Sequence, residues 1–147
     1  MVSQIKNDVD FTKIICDNGT GYLKLGYAGD NFPRFTIPSI VGRPLLRSNQ
    51  NVDGVALSEI MFGDEANPYR SLLEINYPIE EGRIKNMEDF AQLWEYSFTK
   101  KMGIKKEDFP ERRLFVTEAA MNTRQNREMM AEIIFEKYNF GASMFET

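Results

Sequence analysis

Residues 14–31 read IICDNGTGYLKLGYAGDN and contain the strongest structural signal in the sequence. A short apolar run ends at Asp17, Asn-Gly-Thr-Gly follows, and the next residues alternate between apolar and polar or small side chains. A short apolar run bounded by turn residues predicts a buried strand over 11–17, and the alternation predicts a second strand over 21–29. Asn-Gly between two such segments is a strong β-hairpin signal. The stretch therefore predicts two antiparallel strands joined by a glycine-rich turn.

The turn itself admits two interpretations, a plain hairpin or one half of a clamp for phosphates. A phosphate-binding loop needs glycines that let backbone N–H groups approach the oxygens, a hydroxyl donor and a nearby cation. Gly19 and Gly21 flank Thr20, and Lys24 follows four residues after Thr20. Asp17 stands at the strand end, where one carboxylate can hold a hydrated Mg²⁺. The turn matches neither the Walker pattern nor G-x-G-x-x-G, so the local sequence alone favours the plain hairpin.

Composition limits the kinds of protein and of site that the chain can form. Its 147 residues suit about one domain, and a net charge of -4 disfavours nonspecific binding to nucleic acid. The chain has no histidine, which excludes a Ser-His-Asp triad and a histidine-ligated metal within this sequence. The single cysteine, Cys16, lies in an apolar run and is interpreted as core, so a disulfide within the chain is excluded. We expect a cytosolic protein without membrane insertion, since no apolar run reaches about 18 residues and no secretory signal is recognisable.

The segment after the hairpin is rich in proline and in turn residues. Short apolar runs alternate with prolines, which predicts a third, edge-type strand that leaves the first sheet; the prolines are Pro33, Pro38 and Pro44. Residues 45–62 are polar and turn-rich between short apolar stretches, which predicts a small irregular lobe. We expect an exposed, mobile loop near 47–54 within it.

The second half of the chain shows helical periodicity on either side of another strand. Residues 86–98 predict a helix capped by Asn86, with a buried stripe formed by Phe90, Ala91, Trp94 and Phe98. Residues 112–118 predict a buried strand. A further helix follows, with Asn122 as its expected cap, Gly141 as its expected stop, and a sheet-facing side formed by Met129, Met130, Ile133 and Ile134. This order of elements predicts an α/β fold.

Taken together, the motifs resemble the N-terminal part of actin and the actin-related proteins. They occur in the family's order as DNGTGYLKLGYAGDNFPRFTIPSIVGRP (17–44), GDEA (63–66), YPIEEGRIKN (77–86), LWEYSF (93–98), TEAAMNTRQNRE (117–128) and IFEKYNF (134–140). The resemblance implies the actin-like ATPase fold, which is ribonuclease H-like, with a mixed sheet flanked by helices. It implies a first subdomain of residues 1–38 and 77–147, and a small second subdomain of residues 39–76 with the mobile loop.

The resemblance also implies a site for ATP or ADP with Mg²⁺. Asp17 matches the family's acid on the metal side, which acts on Mg²⁺ through water. Thr20 matches the serine or threonine that touches the terminal phosphates, and Lys24 matches the lysine at the β-phosphate. Backbone contacts to the phosphates are implied for Gly19, Gly21 and Tyr22. No catalytic residue is assigned, and we expect at most a slow ATPase.

Within the family, segments such as RSLLEINYP (70–78) are similar to those of the actin-related proteins in the seven-protein complex that nucleates branched actin filaments. This implies actin, actin-related protein 3, the other complex subunits and nucleation-promoting factors as partners, in the cytoplasm and cytoskeleton. ATP would then act mainly as a conformational ligand. The alternatives are a conventional actin-like filament protein, an actin-related scaffold of a chromatin or ciliary complex, and a kinase or chaperone ATPase of the same fold.

The chain departs from the family pattern at three places. Glu81 stands where actin has a histidine, so a role of that histidine in phosphate release is not carried over. Ala120 and Thr123 replace prolines of a turn, which should loosen it. Residues 143–147 diverge, and by count the sequence stops about one residue before the family's water-positioning glutamine. We therefore expect an N-terminal part without the second phosphate loop, and no ATP hydrolysis by these 147 residues alone.

Overall fold

A computed structural model describes residues 8–45, 51–52, 55–56 and 59–147 of the chain. The strands are β1 (Asp10–Asn18), β2 (Tyr22–Ala28), β3 (Phe35–Pro38), β4 (Val41–Pro44), β5 (Asn51–Val52), β6 (Val55–Ala56), β7 (Met61–Phe62), β8 (Leu73–Asn76), β9 (Ile79–Glu80), β10 (Arg83–Ile84), β11 (Arg113–Thr117) and β12 (Ala142–Glu146). The α-helices are α1 (Gly63–Ala66), α2 (Met87–Glu95) and α3 (Arg124–Glu132). Wider π-helical turns extend α2 over Tyr96–Lys101 and α3 over Ile133–Lys137, and 3₁₀ turns cover Asn67–Leu72 and Lys106–Glu111.

The main sheet contains five strands in the order β12-β11-β1-β2-β3. The β1–β2 and β2–β3 pairs are antiparallel, whereas β1–β11 and β11–β12 are parallel. Parallel neighbours need long connections, and α2 and α3 lie in the two connections that lead into β11 and β12. The predicted hairpin, the edge position of β3 and the mixed α/β architecture are therefore confirmed.

One face of this sheet carries the core and the other is exposed. The core face joins the helices in one cluster, which includes Ile14, Cys16, Leu23, Leu25, Leu114 and Val116 from the strands and Phe90, Trp94, Phe98, Ile133 and Ile134 from the helical segments. On the opposite face Ile15 is 39% exposed and Met144 is 57% exposed. A groove of about 330 Å³ runs between them and is bordered by Lys13 and Arg113. The alternation over 21–29 thus separates the two faces of β2 correctly. The prediction that 11–17 and 112–118 are buried strands is wrong for one face of each, because the helices pack against the opposite face only.

The two long helices begin at side-chain caps, one of them predicted correctly. Asn86 Oδ1 accepts a hydrogen bond from the backbone N–H of Asp89 at 3.0 Å, as expected for the cap of α2. The prediction that Asn122 caps α3 is wrong, because Thr123 Oγ1 accepts from the backbone N–H of Asn126 at 3.2 Å. The side-chain oxygen Oδ1 of Asn122 instead accepts from the side-chain amide of Asn126 at 2.9 Å. None of the described helices has the length and apolarity needed to cross a membrane.

The prediction that Gly141 stops the last helix is also wrong. The helical turns end at Lys137, and Asn139 takes the left-handed conformation with φ 57°. At Gly141 a Cβ atom would lie 2.2 Å from the carbonyl oxygen of Pro110. Glycine is required there because two backbone segments approach closely, and not because the helix needs a left-handed end.

The segment between β3 and β9 forms its own small sheet in the order β7-β4-β8. A separate cluster of Ile40, Ala66 and Leu73 packs beside it. Its Arg43 guanidinium binds the buried Asp89 carboxylate of α2 through two hydrogen bonds of 2.6 and 3.2 Å, which joins this lobe to the main one. The expected bounds of the small second subdomain, residues 39–76, stay a prediction. The expected loop at 47–54 lies outside the described residues, except for 51 and 52.

Candidate functional site

The candidate site lies at the sheet edge where β1 ends, and its base is a buried asparagine. Asn18 Oδ1 accepts hydrogen bonds from Trp94 Nε1 at 3.0 Å and from Cys16 Sγ at 3.3 Å. Burial, and secondarily the neighbouring Asp17 carboxylate, raises the pKa of the Cys16 thiol well above its usual value, so the thiol stays protonated and can donate. Cys16 is fully buried, which confirms it as core. The start of the glycine-rich turn is therefore fixed to helix α2.

The two glycines of the turn have different physical roles. A Cβ atom at Gly19 would lie 2.4 Å from the backbone carbonyl oxygen of Tyr22, so the fold itself requires glycine there. At Gly21 a Cβ atom would meet no described atom within 4 Å. Gly21 also lacks the left-handed φ that would demand glycine. The described part of the chain thus gives no internal reason for Gly21, and there is open space beside it.

Ser39, just after β3, holds the carbonyl side of the turn. Its hydroxyl donates to the carbonyl oxygen of Gly19 at 2.9 Å, and its backbone N–H donates to the carbonyl oxygen of Gly21 at 3.0 Å. Ser39 itself is completely buried, whereas Gly19 is half-buried and Gly21 is exposed. With these two acceptors engaged by protein, the turn is held in one shape. The sequence did not single out Ser39, because its partners lie about 20 residues earlier in the chain.

Thr20, at the tip of the turn, contacts a second turn, which contains Glu81 and Gly82. Its Oγ1 accepts a hydrogen bond from the backbone N–H of Gly82 at 3.2 Å. Gly82 and Glu81 both adopt left-handed conformations, with φ of 74° and 51°. This conformation is strained for glutamate and normal for glycine. The hairpin formed by β9 and β10 is thereby placed directly against Thr20, which is exposed.

Asp17 and Lys24 form a cross-strand pair beside the turn. Their backbones are opposite in the β1–β2 register, and Lys24 Nζ lies 3.9 Å from Asp17 Oδ2. Both side chains are about half exposed, so water screens this contact and it contributes little to stability. The other carboxylate oxygen, Oδ1, accepts from Thr117 Oγ1 at 2.6 Å. Asp17 and Lys24 line one end of a cleft of about 210 Å³ that continues to Asp30 and Phe32.

The structure thus places the predicted site residues in two groups. Gly19, Thr20 and Gly21 form the turn, and Asp17 faces Lys24 across the adjoining strands. Tyr22 is the first residue of β2, and its backbone follows directly on the turn. Their predicted roles toward phosphates and metal stay predictions. The three neighbours that the sequence did not reveal, Ser39, Gly82 and Thr117, are all distant in the chain.

The donor set decides which metal the site could hold. Within the described residues, no group of three or more carboxylate, thiol or imidazole side chains is arranged to bind a metal ion. A cation that needs several protein ligands therefore does not fit. Mg²⁺ keeps most of its waters and commonly uses one or two carboxylates together with phosphate oxygens. A hydrated Mg²⁺ next to Asp17 and a bound polyphosphate fits this arrangement.

Comparison with known proteins places the chain in a family. The family model for actin matches residues 9–147. Actin-related protein 2 of Schizosaccharomyces pombe is 50% identical over 128 residues, which are 87% of this chain and 32% of that protein. The proteins of the same name from Acanthamoeba castellanii and Drosophila melanogaster are 45% and 44% identical, over 88% of this chain and 33% of each relative. The chain spans about a third of the length of these curated relatives. It belongs to the actin family.

Proposed function

We propose that this chain is the phosphate-binding N-terminal part of an ATP-binding actin-related protein, with ATP or ADP and Mg²⁺ as its ligands. The observation that carries the proposal is the open space at Gly21, in the turn that joins the two strands of the Asp17 and Lys24 pair. Gly21 is exposed, and a glycine in such a turn lets a ligand come close to the backbone. The similarity to actin-related protein 2 supports the same assignment.

Each residue of the site has a distinct part in this proposal. The backbone N–H groups of Gly21 and Tyr22 and the hydroxyl of Thr20 donate to phosphate oxygens. The Gly19 N–H donates to the carbonyl oxygen of Asp17 at 3.1 Å, so its expected contact to a phosphate has to share or replace that bond. The Lys24 ammonium supplies positive charge, and its long 3.9 Å contact to Asp17 leaves it able to bind a phosphate instead. Asp17 holds water molecules of Mg²⁺ through its carboxylate. When bound, Mg²⁺ neutralises part of the phosphate charge.

One loop supplies only part of the contacts that a nucleotide needs. Ordering the ligand and the loop costs free energy. The few hydrogen bonds of this loop offset only a small part of that cost. We therefore expect ATP binding by residues 1–147 alone to be weak, and we expect no hydrolysis, since no catalytic residue is assigned within them. Robust turnover by this fragment would contradict that expectation.

We further propose that the protein acts in the complex that nucleates branched actin filaments. Its partners would be actin, actin-related protein 3, the remaining subunits and nucleation-promoting factors, in the cytoplasm and cytoskeleton. ATP would favour one arrangement of the two lobes by binding it better, and so would act as a conformational ligand. The Arg43 and Asp89 ion pair between the lobes is a contact that such a rearrangement has to keep or break.

The test of nucleotide binding compares two lysines in the natural full-length protein. Lys24→Ala should weaken Mg-ATP binding by about 10- to 100-fold, because a hydrogen bond to a charged group contributes roughly 1.5–3 kcal/mol. Lys13→Ala is the matched control. Lys13 lies on β1, the neighbour of the strand β2 that carries Lys24, and like Lys24 it is half exposed and pairs with an aspartate. Calorimetric titration with Mg-ATP measures both affinities.

Three outcomes of these titrations bear on different parts of the proposal. A natural protein that does not bind Mg-ATP would refute the proposed function. Unchanged affinity in the Lys24 variant would remove Lys24 from the site, and an equal loss in both variants would indicate a general charge effect.

Purification from cells tests the assembly: the other complex subunits should copurify, whereas polymerisation of the isolated protein would favour a conventional filament-forming actin.

A further inference from the structure

A row of polar side chains crosses the whole main sheet at the edge that carries the site. In the register of the strands, Thr36 is opposite Lys24, Lys24 is opposite Asp17, and Thr117 is opposite Glu146. The Cys16 and Val116 pair is in register between β1 and β11, so the next residues, Asp17 and Thr117, are neighbours as well. Cys16 and Val116 point into the core, and the row that follows them therefore lies on the opposite face.

Thr117 holds Asp17 within this row by a short hydrogen bond. Its hydroxyl donates to Asp17 Oδ1 over 2.6 Å, a length typical of a hydroxyl bound to an ionised carboxylate. Threonine is branched at Cβ, so few χ1 rotamers are open to it and its strand backbone largely determines where the hydroxyl lies. With Oδ1 held by this hydrogen bond, the other carboxylate oxygen, Asp17 Oδ2, lies 3.9 Å from Lys24 Nζ. The orientation of the Asp17 carboxylate is thus determined by a residue 100 positions later in the chain.

We propose that Thr117 is a positioning residue for the cation that accompanies a bound polyphosphate. It does not touch the ligand; it holds the Asp17 carboxylate in the orientation that receives the waters of a hydrated divalent cation. A carboxylate without such a partner would have to lose its rotational freedom when the cation binds, which weakens binding. This inference rests on the proposed nucleotide function, and it adds a residue to which the resemblance assigns no role.

The experiment measures the Mg²⁺ dependence of nucleotide binding in the natural full-length protein. Thr117→Val keeps the shape and the branched Cβ but removes the hydroxyl, and Thr117→Ser keeps the hydroxyl. We expect the Val variant to need about 10-fold more Mg²⁺ for half-maximal ATP binding, which is the usual loss when a residue behind a metal-binding carboxylate is removed. The Ser variant should stay within about 2-fold of the natural protein, and affinity for ATP in excess chelator should be the same in all three.

A double-mutant cycle separates positioning from a merely structural role. In an Asp17→Ala background, Thr117→Val should change the Mg²⁺ dependence no further, because the group that it positions is gone. Additive effects would overturn the inference, as would equal losses with Mg²⁺ and with chelator, or equal behaviour of Val and Ser. If Thr117→Val fails to fold, as shown by circular dichroism, the cycle is run with Thr117→Ala. If the natural protein binds no Mg-ATP at all, the proposed function fails before Thr117 is in question.

Discussion

The two faces of the main sheet differ in what their side chains do. On one face Cys16, Leu25 and Val116 are fully buried against the helices. On the other face the residues one step along the same strands include Ile15, which is partly exposed, and Asp17, Lys24 and Thr117, which interact with one another. The same strands thus provide the packing on one side and the candidate chemistry on the other. A rigid core face is what allows the exposed face to hold polar groups in register.

The largest effect is expected from truncating the core face. Leu25→Ala should lower the free energy of unfolding by about 2–5 kcal/mol, because it removes buried methyl groups and leaves a cavity. Ile15→Ala is the matched variant on the other face, and it should cost less than about 1 kcal/mol. Urea unfolding of the natural protein, followed by circular dichroism, measures both. Equal losses would contradict the comparison, because they would mean that Ile15 is as tightly covered as Leu25.

The same contrast exists within the turn, between Gly19 and Gly21. Gly19→Ala should destabilise the protein by about 1–3 kcal/mol, because the new methyl group would lie too close to the carbonyl oxygen of Tyr22. Gly21→Ala should leave stability within about 0.5 kcal/mol, since nothing in the described chain lies within 4 Å of the added atom. Thermal melts of both variants and of the natural protein measure these changes in stability.

Nucleotide titration then shows whether the two glycines serve the fold or the ligand. If a bound phosphate occupies the space at Gly21, Gly21→Ala should weaken Mg-ATP binding and leave the melting temperature unchanged. A Gly21 variant with unchanged affinity would mean that the open space is not a ligand position. Loss of stability in both variants would mean that packing outside the described atoms needs both glycines.

Much of the fold followed from local sequence because the deciding signals are local. Alternation predicted the strand over 21–29, on which Leu23 and Leu25 are fully buried, and Asn86 was recognised as a cap because its partner is three residues away. Asn122 and Thr123 are both good caps by residue type, and local sequence could not tell that Asn126 engages both side chains. Distant contacts decide such cases.

The site shows the same division between local and distant information. The turn and its two neighbours, Asp17 and Lys24, were found because they lie within eight residues of one another. Ser39 and Thr117 were not found, because they reach the site through strand pairing with segments 20 and 100 residues away. A threonine at a strand end has no distinctive pattern by itself. Its importance becomes visible only when the register of β1 and β11 is known.

The smallest expected effect comes from a polar contact where β11 leaves the sheet. Glu118, whose side chain is 8% exposed, accepts a hydrogen bond from Arg127 Nε at 2.9 Å, and this contact lowers the pKa of Glu118 below its usual value. A carboxyl with a lowered folded-state pKa stabilises the protein above its unfolded-state pKa, and that contribution is lost as pH falls through the folded-state pKa. Glu118→Gln should therefore reduce stability at pH 7 and flatten its decline toward acid pH.

The size of this effect should be about 1 kcal/mol, because Arg127 is half exposed and water screens the pair. Glu128→Gln is the control on α3, the helix that carries Arg127, since it removes a more exposed carboxylate that is paired with the exposed Arg124. That variant should change stability by less than about 0.5 kcal/mol at any pH. Urea unfolding at several pH values between 3 and 7 distinguishes the two. An acid dependence that is identical in the natural protein and in Glu118→Gln would show that this contact, although ordered, does not stabilise the fold, and the stabilising interactions would then lie on the core face.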